Sequence, residues 1–355
     1  MAVEAIGVVS GLLGIFSFVQ DLFPTQPAAA TADFQFRIGL DGTPGPNGEG
    51  TLSDAGGNIP DIRCWNENQQ FLGITTNDGN TCDSGSEVCM SSVETDNAPT
   101  YTLFTANNDA ICIGWMATTF PGGDKYGTPI GNWASACDSY GTGATWYPSN
   151  VIVQQDNGEG TAVDCAWLDA DGDQPVTGIQ LHWIEFGSNN EVQNLDHYCA
   201  NPPALLFHFD SDPSSVTYLT RKRDMFSSNP SGLRTSPSIE SRRRSNEERR
   251  ARLSKRFESD PRIVKSHNPA HRASVVCDAL NSVGPSFVSY AERGFCYMPT
   301  KMFLNFCDDV ESGNCWDDEA NVAITKGDLV AKDVLPAMRF TKTIVWEVPE
   351  NQTTA

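Results

Sequence analysis

A stretch of 36 residues, 221–256, sets the limits on how this 355-residue chain can fold. It carries the basic runs Arg221, Lys222, Arg223; Arg242, Arg243, Arg244; Arg249, Arg250, Arg252; and Lys255, Arg256, set in Ser, Asn, Pro and Glu with few large apolar residues. Such a stretch buries too little surface to offset the entropy of ordering it, so it is expected to be an exposed connector. The chain is thereby divided in two. Exposed connectors are where proteases cut, and the pairs Lys222-Arg223, Arg243-Arg244, Arg249-Arg250 and Lys255-Arg256 fit the dibasic pattern of a kexin-type processing protease. The expectation is a secreted precursor cut between two folded parts. Residues 1–32 then form an amino-terminal segment, 33–220 a first domain, 221–272 the connector and 273–355 a C-terminal module.

Charge follows the same division. Residues 221–272 hold fifteen Lys and Arg against six Asp and Glu, which leaves nine against thirty-nine for the rest of the chain. Lobes this acidic repel phosphate backbones, and the basic connector lacks interleaved aromatic rings, so nucleic acid is not an expected partner.

Eleven cysteines divide as seven before the connector (Cys64, Cys82, Cys89, Cys112, Cys137, Cys165, Cys199) and four after it (Cys277, Cys296, Cys307, Cys315). No Cys-x-x-Cys is present, so zinc is disfavoured and disulfides are expected. The four late cysteines suit two staples on a small module, with three possible connectivities. The odd total leaves three outcomes open. One thiol is free, or it pairs with another chain, or bridges cross the connector.

Residues 3–23 are the most apolar run, with Gly7, Gly11 and Gly14 along one side at helical spacing, as in small-xxx-small helix pairs. The run is short for a membrane span, and Glu4 stands where the basic start of a signal peptide belongs. An atypical secretion signal, a membrane-inserting or self-associating helix, and a helix packed on the first domain are the three readings.

From residue 34 the period changes. Phe34, Phe36, Ile38 and Leu40 alternate with polar or small residues as in a half-buried strand. Short strands are then expected at 62–65, 71–75, 101–105, 110–119, 145–154, 162–168, 178–186 and 204–207, separated by turns such as Asn107-Asn108-Asp109 and Pro121-Gly122-Gly123. No helix is expected between residues 33 and 220. The pattern predicts an antiparallel β-sandwich or jelly roll with Trp115, Trp133, Trp146, Trp167 and Trp183 in its core. Beyond the connector, a helical start at 274–283, broken by Gly284-Pro285, and a final strand at 341–348 predict a small disulfide-rich α+β module. Asn351-Gln352-Thr353 is an N-glycosylation sequon.

The runs GLDGT at 39–43, TANNDAICIGW at 105–115 and DADGDQP at 169–175, followed by the basic connector and FCYMPTKMFLNFCDD at 295–309, resemble a group of predicted secreted proteins of filamentous fungi. The resemblance implies secretion, kexin-type maturation and a Cys-containing tail. It brings no activity and no catalytic residues with it.

Two constellations invite a chemical reading. Asp169, Asp171 and Asp173 alternate as carboxylates do in Ca²⁺ loops, but Gln174 and Gln180 stand where an EF-hand has Gly and Glu, so weak Ca²⁺ ligation is the minority reading against a polar hairpin tip. His182, Glu185, His197 and His208 contain the residue types of an acid/base or metal set. In an extended strand, however, His182 and Glu185 would point to opposite faces, and nothing in the sequence ties His197 to either. No nucleophile elbow, phosphate loop or His-Glu-x-x-His is present. The expected function is therefore that of a non-enzymatic secreted effector or toxin-like protein, membrane-active or self-assembling through its apolar start. The rivals are a glycan-binding cell-wall protein using Trp65, Trp133 or Trp146, an extracellular matrix protein forming homo-oligomers, and a secreted hydrolase with two convergent carboxylates.

Overall fold

The computed structural model describes residues 30–39, 55–85, 89–154, 160–172, 174–187, 193–200, 203–219, 260–327 and 338–347. The first part contains β1 (Thr31–Ile38), β2 (Gly57–Asn58), β3 (Asp61–Trp65), β4 (Phe71–Thr75), β5 (Thr81–Cys82), β6 (Cys89–Glu94), β7 (Tyr101–Thr105), β8 (Ile111–Thr119) and β9 (Lys125–Thr128). Helix α1 (Ile130–Ala136), β10 (Trp146–Gln154), β11 (Gly160–Leu168), β12 (Gly178–His182), helix α2 (Leu195–Cys199) and β13 (Leu205–His208) complete it.

Apart from β2 and β5, which pair with each other, these strands make two antiparallel sheets, ordered β10-β11-β8-β1-β6 with β9 on β8, and β13-β12-β7-β3-β4. The alternation seen in the sequence of β1 is what joins them. Phe34 and Phe36 point into the space between the sheets and meet Phe104 edge-on, each with ring centroids 5.6 Å apart. Trp183 closes the same cluster, 6.2 Å from Phe104. Trp115, Trp133, Trp146 and Trp183 are all buried, and Trp167 is half-buried. The antiparallel sandwich with tryptophan in its core is thus the architecture of the first part.

Two short helices correct the expectation of none. Helix α1 is seven residues long and contains Gly131, too short and too small-sided for helical periodicity to register. It is held in place by tertiary contacts, since Trp133 is fully buried and its indole donates to Thr128 Oγ1 at 2.8 Å. Helix α2 is only five residues and is tied to the end of α1 by the Cys137–Cys199 disulfide.

The C-terminal part begins earlier than the expected residue 273: β14 (Arg262–Ser266) falls within the 221–272 range expected to be connector, yet it is a strand inside a sheet because Ile263 and Val264 are buried on its two faces. It is followed by helix α3 (Ala273–Asp278), β15 (Ser286–Ser289), β16 (Gly294–Tyr297), β17 (Met302–Asn305), β18 (Gly313–Asp317), β19 (Val322–Lys326) and β20 (Lys342–Trp346). Five form a mixed sheet, β17-β16-β15-β14-β20, in which β14 runs parallel to both β15 and β20. Helix α3 is the crossover that a parallel β14–β15 pair requires. Residues on β14 alternate between two cores. Ile263 joins Val288, Phe295 and Trp316 on one face, while Val264 joins Phe287, Ile344 and Trp346 on the other.

That second face is buried against the sandwich. Trp146 donates its backbone N–H to Asn281 O at 3.1 Å, and Val283 returns a bond to Trp146 O at 2.8 Å. The Trp146 indole donates to Asn281 Oδ1 at 3.0 Å, and Asn281 Nδ2 donates to Ala144 O at 2.7 Å. Tyr147 donates its hydroxyl to Pro285 O at 3.0 Å while its ring lies over Gly284, where a Cβ would fall 2.3 Å from the ring. Only glycine permits that approach. Parts before and after the connector therefore share one hydrophobic cluster.

Five disulfides resolve the cysteine count: Cys82–Cys89, Cys112–Cys165 and Cys137–Cys199 before the connector, Cys277–Cys296 and Cys307–Cys315 after it. Cys64 is left as a buried free thiol. Of the three outcomes left open, the free thiol is the one found, and no bridge crosses the connector. Among the described residues, no helix is long and apolar enough to cross a membrane.

Candidate functional site

The residues that the sequence kept apart come together at the end of the second sheet. Strand β12 stops at His182, and residues 183–186 coil into a 3₁₀ turn rather than extending to Phe186 as expected. Trp183 is the cause: its buried indole donates to Thr102 Oγ1 at 2.9 Å, and its backbone N–H to Thr100 O at 2.8 Å, which pulls the chain into the core. In a 3₁₀ turn residues three apart eclipse one another, so Glu185 returns to the side of His182. Glu185 Oε1 lies 3.3 Å from His182 Nδ1, an ion-pair approach without hydrogen-bond alignment. The opposite-faces expectation held for a strand, and the strand ends too early for it to apply.

His197 completes the carboxylate's coordination. Its Nε2 is 2.8 Å from Glu185 Oε2. Helix α2 delivers it there, begun by Asn194, whose side chain accepts from the His197 backbone N–H, and anchored by Cys199. The link between His182 and His197 that sequence could not supply is thus made through one glutamate and one disulfide.

Two further residues had no sequence signal. Glu67, in the turn between β3 and β4, places Oε1 2.6 Å from His182 Nε2. Asn66 builds that turn by accepting from the backbone N–H groups of Asn68 and Gln70, both at 3.0 Å. Tyr101 stacks on the His182 ring with centroids 4.0 Å apart and planes 10° from parallel. The His182 side chain is 2% exposed, against 44% for Glu67.

Electrostatics follow from this packing. The imidazoles of His182, first, and His197 hold the Glu185 carboxyl down at about 2 against the opposing effect of burial. Burial pushes the Tyr101 phenol up to about 12, and the neighbouring carboxylates of Glu67 and Glu185 add to this. Glu185 is thus a fixed anion at ordinary pH and Tyr101 a fixed phenol. A carboxylate so stabilised is a poor general acid, and the array is better suited to locking loops together than to moving protons.

His208 is not part of this set. It pairs with Gly178 at the opposite end of β12, whereas His182 pairs with Tyr101, and burial holds the His208 imidazole down at about 4. Nor is Asp169 arranged as an open Ca²⁺ ligand. Its carboxylate accepts from the backbone N–H groups of Gly172 at 3.1 Å and Gln174 at 2.8 Å, and of Asp171 at 3.4 Å. The loop joins β11 of one sheet to β12 of the other, so the expected hairpin tip is instead a crossing between sheets. Among the described residues no group of three or more His, Cys, Asp or Glu is placed to hold a metal. Asp173 lies outside the described residues, as do Gly7, Gly11 and Gly14, the processing residues Lys222, Arg223, Arg243, Arg244, Arg249, Arg250, Lys255 and Arg256, and Asn351.

Trp65, Trp133 and Trp146, the residues considered for sugar stacking, are buried. Among the described residues the exposed phenyl or indole ring is Phe71, 56% accessible, beside a groove of about 690 Å³ lined also by Gln70, Glu94, Asp96 and Asn97. No protein-family model, no curated protein and no solved structure matches the chain.

Proposed function

We propose that the chain is a secreted, non-enzymatic effector or toxin-like protein, cut in its basic connector by a kexin-type protease into two pieces that act as one body. The observation that carries this reading is the seam. Asn281, Trp146 and Tyr147 bond across it, and Trp346 and Phe287 lie in the same cluster as the core of the sandwich. A cut between residues 222 and 256 leaves every one of these contacts in place, and a hydrophobic seam is maintained without a covalent bond. Five disulfides suit an oxidising compartment outside the cell. The Glu67–His182–Glu185–His197 array, whose carboxylates are taken up by the imidazoles, supports a structural duty for the most conspicuous acid/base cluster, hence action by binding.

Cutting the purified protein with a kexin-type protease tests the reading. The expected result is two fragments that co-elute on native gel filtration and separate on a denaturing gel without reductant. Fragments that part under native conditions would exclude the two-piece body. Membrane action through residues 1–24 belongs to the same proposal, and liposome leakage that is equal with and without that segment would remove it.

A second reading, binding of cell-wall glycans, is favoured by Phe71, since an exposed ring flanked by amides and carboxylates is the equipment for stacking on a sugar. Glycan-array binding that disappears in Phe71→Ala supports it, and an array without signal sets it aside.

A further inference from the structure

Residues 213–219 run lengthwise over the outer face of the second sheet, in the direction of β12. Pro213 lies at one end, where Thr105 donates its hydroxyl to Pro213 O at 2.8 Å. Gly178 leaves the space it fills, since a Cβ there would stand 2.6 Å from Pro213 Cγ. Midway, Gln180 holds one residue by both backbone groups: its Nε2 donates to Thr217 O at 2.6 Å, and its Oε1 accepts from Thr217 N at 2.7 Å. At the far end Leu219 donates its N–H to the Tyr101 hydroxyl at 3.2 Å. Between these anchors Val216 and Tyr218 settle on Trp65, Tyr101 and Leu103.

Three properties distinguish this arrangement from ordinary core. The bonds go to the backbone of the strap, so they read an extended chain rather than particular side chains. Ser214, Ser215 and Thr217 face solvent, and Val216 and Tyr218 stay half-exposed. Beside the apolar Trp65, Tyr101 and Leu103, the floor of the cleft carries a row of polar groups: Gln180, Thr105, the Tyr101 hydroxyl, and Arg63, which donates to Thr105 Oγ1 at 2.7 Å. Water can satisfy each of these groups once the strap lifts, so departure opens no dry cavity.

We propose that this face is a binding cleft for an extended peptide, and that residues 213–219 are its resident occupant. The partner it fits is a peptide segment of another protein carrying an apolar residue, one free position and an aromatic residue, matching Val216, Thr217 and Tyr218. The strap competes from within the same chain, and its high effective concentration keeps the cleft closed to weak binders. This inference does not depend on cutting of the connector.

Fluorescence anisotropy of a labelled PSSVTYL peptide, titrated with the full-length chain, tests it. The double substitution Val216→Ser and Tyr218→Ser loosens the strap, and binding is expected to tighten by about tenfold or more over the unaltered chain. Adding Gln180→Ala to that variant is expected to abolish the gain. A loosened chain that binds no better than the unaltered one, or binding indifferent to Gln180→Ala, overturns the proposal. Hydrogen exchange on the unaltered chain decides the matter even where the variants fail to fold. Amides of Thr217 and Leu219 exchanging on the order of 100-fold faster than those of β7 and β12 mark an occupant that lifts off a standing sheet. Exchange at the rate of the sheet itself marks fixed core and ends the proposal.

Discussion

At His182 each ring nitrogen faces a carboxylate, Glu67 on one side and Glu185 on the other, with the Tyr101 ring covering the face. The consequence for stability is carried by Glu185. Its native carboxyl sits at about 2, below the ordinary 4.5, so the stability it contributes is complete above pH 4.5 and is lost as pH falls toward and through 2. Glu185→Gln is therefore expected to cost about 1–2 kcal/mol at pH 6, a partly screened value, and almost nothing at pH 2. Urea denaturation of both proteins across that range measures the difference. A second residue-scale expectation concerns Cys64, whose thiol burial pushes up to about 12. Buried thiols are inert, so a thiol reagent should find none in the native protein and one per chain after unfolding without reductant. Neither role was legible beforehand. His182, Glu185 and His197 could be picked out by residue type, but their partnership depends on where β12 stops, and Cys64 is set apart only by which six other early cysteines find one another.

Elements differ in how plainly they were written. Strands β4 and β7 have the bounds their apolar and β-branched residues predict, and β1, β3, β8, β10, β11 and β13 fall within two residues or so of theirs, apart from the start of β1. Strand β6, with the sequence CMSSVE, is an edge strand exposed on alternate residues, so its polar content hides it. The disulfides act at this scale too, by limiting the unfolded chain. Cys112–Cys165 closes 53 residues and ties β8 to β11, whereas Cys82–Cys89 closes seven. Chain entropy puts the two at about 4 and about 2 kcal/mol. Replacing the Cys112 and Cys165 pair by Ala should consequently lower the melting temperature more than replacing Cys82 and Cys89, and calorimetry of the two double variants checks the order.

Across the whole molecule the seam determines how the parts behave. Asn281 is fully buried at its centre, so Asn281→Ala strands the Trp146 indole and the Ala144 carbonyl without partners. A loss of about 2–4 kcal/mol is expected, measured by chemical denaturation, and chains cut in the connector should separate more readily in the variant. Legible from local pattern alone were a β-rich first part, from period-two alternation and frequent turns, and a cysteine-stapled second part. The tertiary structure alone decided which cysteine stays free, that the strand at His182 ends to let Trp183 into the core, and that the faces on either side of the connector are buried against each other. Those outcomes rest on contacts between residues distant along the chain, such as Trp146 with Asn281, and long-range complementarity of shape leaves no period for a sequence to display.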